Sequence, residues 1–123
     1  MNLSKVIIVN CLYALFGAVV MTLMPVQIMQ PYGLLLDKGG VFIAGLLGAA
    51  LLGFAILYFQ LRNSKDKSVI KSLSVAAIVT HLLSALIGAM SITSGTLNSM
   101  AWVDAGLHVL LALGFWQYGL NRK

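Results

Sequence analysis

The chain has 123 residues, 60% of them hydrophobic and only 9% charged, with a mean hydropathy of +0.97 and a formal net charge of +5. A soluble domain carries about 25% charged residues, and a chain this short cannot hide so much apolar surface in one core. The composition excludes a soluble enzyme, a nucleic-acid module and a disordered tail, and makes a lipid bilayer the expected surroundings.

A helix crosses the roughly 30 Å hydrocarbon layer with about 20 apolar residues. The first such segment is residues 6–28. Lys5 precedes it as in a signal peptide, but the apolar run is too long for one and no A-x-A site follows, so a retained helix is expected. Pro25 is expected to bend or end it, and Pro31 to prevent its continuation. Asn10 and Tyr13 within it read as hydrogen-bonders between helices. The second segment is residues 41–61, where Gly45, Ala49 and Gly53 recur at four-residue spacing with Gly48 beside them. Such a stripe lets a neighbouring backbone approach closely, within the bundle or in a homo-oligomer. The third, residues 69–92, carries His81 on one face with Ala77, Ser84, Ala85 and Gly88. The fourth, residues 100–118, carries Asp104 and His108 one helical turn apart.

The connectors, residues 29–40, 62–68 and 93–99, are short, so consecutive helices are expected to run antiparallel. The predicted fold is all-α: one integral membrane domain over residues 1–123, an up-down-up-down four-helix bundle. Lys5 lies at the N-terminus, Arg62, Lys65, Lys67 and Lys71 lie in or beside the middle connector, and Arg122 and Lys123 end the chain; the other connectors hold only Lys38, beside Asp37. Basic residues flanking apolar spans mark the cytoplasmic side, so both termini are expected in the cytoplasm. The same placement argues against a phosphate-binding face for nucleic acid. Tyr32, Trp102, Trp116 and Tyr118 fall near span ends, where amphipathic rings favour the interface.

The available chemistry is narrow. The single cysteine, Cys11, excludes an internal disulfide and a multi-cysteine metal knuckle. There is no Glu, and the acids are Asp37, Asp66 and Asp104. Met24, Met29, Met90 and Met100 gather toward the outer side; thioethers suit Cu(I), but with no M-x-M pattern they read as apolar filler, and no metal is expected.

An ionisable side chain at membrane depth is costly, so it faces the protein interior and carries a role. His81, Asp104 and His108 meet that description, with Ser84 on the same face as His81. The leading expectation is a structural or accessory membrane component, not an enzyme and without a cofactor. In it these residues form a buried polar contact that holds the third and fourth helices together and can receive a small ligand. Its expected partners are the lipid bilayer and another membrane protein or a second copy. A rival reading is a redox carrier with haem b, or a quinone, between His81 and His108. A further one is a small transporter or proton pathway using Asp104.

Two groups of small four-span proteins fail on their motifs. The small multidrug-resistance exporters need a Glu in the first helix, and the fluoride channels a Gly-Arg-rich opening, whereas the first Arg here is Arg62. The chain more closely resembles the uncharacterised small bacterial four-helix membrane proteins of the DoxX-like kind. The resemblance rests on Pro31-Tyr32-Gly33-Leu34, the glycine-rich stretch from Gly45 to Gly53, and the run from Trp102 through His108 to Ala112-Leu113-Gly114-Phe115. It implies the fold and a location in a bacterial inner membrane, and no activity. One departure stands out: Phe42-Ile43-Ala44 is apolar where that group typically carries a partner Arg.

Overall fold

Short polar residues set where the helices begin. In this computed structural model, which describes residues 2–121, the Asn2 side chain accepts the Lys5 amide at 3.1 Å and opens α1, Leu3–Leu23. Asp37 accepts the Gly40 amide at 2.7 Å and opens α3, Lys38–Leu61, after the short α2, Pro25–Met29, and a 3₁₀ turn, Gln30–Tyr32. Asp66 accepts the Ser68 and Val69 amides at 2.8 and 3.2 Å and opens α4, Lys67–Thr93. Each cap satisfies amides that the first helical turn leaves without a partner. The last helix, α5, is Ala101–Phe115, and a π-helical turn, Trp116–Leu120, continues it. Among the described residues there is no strand. The basic pair Arg122 and Lys123, expected at the cytoplasmic face, lies outside the described residues.

Two segments differ from expectation. The first does not run unbroken to residue 28: α1 stops at Leu23, and Pro25, which has no amide to continue the ladder, starts α2 as a separate helix. Pro31 then lies in the 3₁₀ turn, which Gly33 ends at φ +83°, a backbone state that favours glycine. The fourth is not one uniform helix either. Three helices, α1, α3 and α4, are long and apolar enough to cross a membrane, whereas α5 has 15 residues before its geometry widens. In the widened turn the Asn121 amide bonds the Trp116 carbonyl at 3.1 Å, where Gly119 lies against Ser74 of α4 so closely that a methyl there would collide with the serine side chain.

The long helices alternate in direction. At one end Asn98, before α5, donates its side-chain amide to the Pro31 carbonyl at 2.8 Å and its backbone amide to the Tyr32 carbonyl at 2.9 Å. At the other end Ser4 of α1 donates to Asn63, between α3 and α4, at 3.4 Å. Helix α1 packs mainly on α3, and α4 mainly on α5. The α1–α3 seam runs along Ala44, Gly48, Leu51, Ala55 and Tyr58, one residue off the expected Gly45–Ala49–Gly53 stripe. Gly48 is the close point, since a Cβ there would collide with Thr22 and sit 3.0 Å from the Ala18 carbonyl oxygen. Gly45 and Gly53 face open space, and Ala49 is exposed.

The packed core lies toward the Ser4–Asn63 end. It consists of Leu3, Val6 and Ile7 of α1, Tyr58 of α3, Leu73 and Ala77 of α4, and Phe115 of α5. Outside it, the helices show apolar side chains to their surroundings: only 28%, 17% and 17% of the most apolar windows of α1, α3 and α4 are buried.

The seam makes a direct prediction. In an unfolding titration in mixed micelles, Gly48→Val should lower stability by about 1–3 kcal/mol through overpacking. Gly45→Val and Gly53→Val should stay within about 0.5 kcal/mol of the parent chain. Equal losses at all three positions would refute the assigned seam.

Candidate functional site

The His residue of α4 and the Asp and His residues of α5 meet halfway between the packed end and the Asn98 end. His81 and His108 hydrogen-bond directly, Nδ1 to Nδ1, at 2.8 Å. His81 continues through Nε2 to the Asn10 amide oxygen at 2.9 Å. On the far side of His108, Nε2 lies 3.3 Å from the Tyr13 hydroxyl and 3.6 Å from Asp104 Oδ2. Tyr13 donates its proton to Asp104 Oδ1 at 2.7 Å. One continuous polar string, Asn10–His81–His108–Tyr13–Asp104, therefore ties α1, α4 and α5 together.

The three residues singled out from sequence are thus brought into one network. Asn10 and Tyr13, read there as interhelical hydrogen-bonders, supply both of its contacts to α1. They are three residues apart, so one face of α1 presents an amide to His81 and a phenol to Asp104. Ring packing fixes the imidazoles further: Tyr13 meets His108 edge-on with centroids 5.4 Å apart, and Phe115 stacks on His81 at 6.3 Å.

Donor and acceptor counts define the proton inventory. With the Asn10 oxygen toward His81, a neutral His81 donates from Nε2 and accepts at Nδ1, so His108 donates from Nδ1. The lone pair of His108 Nε2 then faces a Tyr13 oxygen whose proton is already given to Asp104. Two changes complete the string. One proton added at His108 makes an imidazolium beside the Asp104 carboxylate. Alternatively, rotating the Asn10 amide by half a turn reverses every bond back to Tyr13 and leaves both rings neutral.

Burial grades along the string. Asn10 and His81 are 2% and 5% exposed, and the His108 and Asp104 side chains 13% and 43%. Asp104, His108 and Tyr13 form the polar floor of a cavity of about 280 Å³. Phe16 and Val20 of α1, Leu47 and Leu51 of α3, and Gly88 of α4 supply apolar walls, and Ser84 adds a hydroxyl there. Tyr32 and Leu97, from the connectors clamped by Asn98, close its outer end. Burial, and then the Asp104 charge, hold the Tyr32 phenol above its ordinary pKa, so it stays protonated as a donor. Met29 lines the same space, while Met24, Met90 and Met100 do not.

In this arrangement the two imidazoles leave no room for a metal ion between their Nδ1 atoms. An ion held between two imidazole nitrogens at metal–nitrogen lengths of about 2 Å keeps those nitrogens roughly 4 Å apart. Here they are in direct hydrogen-bond contact, and the remaining His81 nitrogen is engaged by Asn10. Among the described residues no group of three or more His, Cys, Asp or Glu is placed to hold a metal ion. Compared with known protein families, curated proteins and solved structures, the chain matches none.

Removing one member of the string strands its neighbour. His81→Ala leaves His108 Nδ1 and the Asn10 amide without their partner, so a loss of about 1–3 kcal/mol is expected in the micelle titration. A double-mutant cycle on His81 and His108 should return a coupling of about 0.6–2 kcal/mol. Additive single-variant losses would show that the rings do not interact.

Proposed function

We propose that the chain is a four-span helical membrane protein, α1, α3, α4 and α5 with its π-turn extension being the spans, that acts as a small binding component for a ligand held in the cavity above Asp104. The single observation that carries the reading is a half-exposed carboxylate in the polar floor of a cavity whose walls are mainly apolar. A few fixed polar groups in an apolar, largely preformed space are what a small-ligand site requires. The apolar exterior supports the membrane part, because side chains such as Phe42, Ile43, Leu83 and Ile87 are more than half exposed. The DoxX-like resemblance fits the same reading, as does a cytoplasmic placement of the Ser4–Asn63 end, which carries Lys5, Arg62, Lys65, Lys67 and Lys71.

The ligand class follows from the floor. Among the described residues the Asp104 carboxylate accepts only from Tyr13 at hydrogen-bond distance, and so retains acceptor capacity toward the cavity. Phe16, Tyr13 and Tyr32 add aromatic surface. The complement is a small amphiphile with a hydrogen-bond-donating head, a hydroxyl or an ammonium, on an apolar body. A quinol head belongs to the same chemistry. A transmembrane proton path lacks such an observation, because beyond Asn10 and the Tyr58 phenol beside it the interior is filled by Val6, Ile7 and Phe115.

Thermal unfolding of the purified full chain with 4-ethylphenol and with hexylammonium as probes tests the reading. At least one probe should raise Tm for the parent chain. The rise should fall to a third or less in Asp104→Asn, whose amide accepts more weakly, and vanish in Gly88→Leu, which fills the cavity. No rise with either probe, or an undiminished rise in Gly88→Leu, would overturn it.

A further inference from the structure

The end opposite the cavity carries a second concavity that the proposed ligand site does not use. A cleft of about 910 Å³ opens between the start of α1, the α3–α4 connector, the first turns of α4 and the π turn. Its rim holds four cations, Arg62, Lys65, Lys67 and Lys71. The nearby acid, Asp66, directs its carboxylate at the first amides of α4, and among the described residues none of the three lysines forms an ion pair. Arg62 is held in place: its guanidinium lies 3.7 Å over the Phe59 ring and donates to the Phe59 carbonyl, which leaves further N–H groups of the fork for another acceptor.

Beneath this charged rim the floor is apolar, formed by Leu3, Ile70, Val75 and Leu120. Ile70 and Leu3 are anchored in the packed core, and Val75 and Leu120 are exposed beside them. A cationic rim over an apolar floor, at the ends of helices that run into hydrocarbon, is complementary to a molecule whose phosphate is joined to hydrocarbon. A free phosphate ion gains nothing from the floor.

We propose that this cleft is a binding site for an anionic phospholipid, the lysines and Arg62 receiving its phosphate-bearing head and Leu3, Ile70, Val75 and Leu120 the first carbons of a chain. The assignment rests on the membrane reading above. Basic groups at an anionic surface each strengthen attraction by about fivefold in binding constant. The groove gathers four of them around one head, which distinguishes it from scattered interfacial lysines.

Trp116, one turn before Leu120, is placed to report on lipid at this end. The full chain carrying Trp102→Phe is reconstituted in phosphatidylcholine nanodiscs, and brominated phosphatidylglycerol or brominated phosphatidylcholine is titrated in as quencher. Phosphatidylglycerol should quench with at least a tenfold higher relative binding constant. Lys67→Gln should lower that preference by about fivefold, whereas Lys38→Gln, at the opposite end, should leave it unchanged. Equal quenching by the two lipids, or equal effects of the two lysine variants, overturns the site while leaving the membrane reading intact. Erasure of the preference by inorganic phosphate at constant ionic strength would assign the cleft to free phosphate and overturn the lipid. A chain that does not enter the nanodiscs overturns the membrane reading and this site together.

Discussion

The hydrogen bond between the His81 and His108 rings is the contact around which the arrangement is organised. In the bilayer proposed for this chain, helices with apolar exteriors would gain little from one another by hiding hydrocarbon, and their pairing would come from close approach and from polar groups with nowhere else to go. His81 belongs to α4, His108 to α5, and the partners of both rings, Asn10 and Tyr13, to α1. Those side chains impose a register on three helices at once. Close approach does the corresponding work for α3, where Gly48 lets the backbone of α1 come near and the Cys11 thiol reaches the Ala55 carbonyl at 3.2 Å.

The string also divides the molecule. Toward the Ser4–Asn63 end the helices meet through Ile7, Leu73, Ala77 and Phe115, and the interior is filled. Toward the Asn98 end, small residues such as Gly17, Gly88 and Ala101 leave an open volume, and the connectors fold over it. The polar residues stand on the boundary. Their inner members are satisfied by one another and buried, while the outermost, Asp104, faces the opening. That gradient is what the proposed ligand site rests on; at the filled end the buried Tyr58 phenol lies beside Asn10.

Much of this was legible in the residues. Four apolar stretches, three short connectors and the punctuation at Pro25 and Pro31 prescribe helices and their approximate ends, because each depends on local properties of the chain. His81, Asp104 and His108 stood out because ionisable groups are so rare here. The Gly45–Ala49–Gly53 stripe misled, since four-residue spacing describes several faces of α3 equally well. The face that packs is chosen by what α1 presents: Ala14, Ala18 and Thr22 complement Gly48 and Ala55, and leave Gly45 open. The π turn at Trp116 was equally hidden, because it arises where Gly119 and Ser74 press two helices together.

Composition and order of residues alone prescribe an oily helical chain with polar caps, a basic end and a handful of ionisable groups among its apolar stretches. Those are consequences of solvent preference and of chemistry within a turn or two of each residue. Which imidazole nitrogen meets which partner, that Asn10 and Tyr13 complete the string, and that Asp104 looks into a cavity depend on the relative rotation and depth of helices far apart in the chain. Rotation and depth follow from the fit of whole surfaces, so these features exist only once the helices are packed.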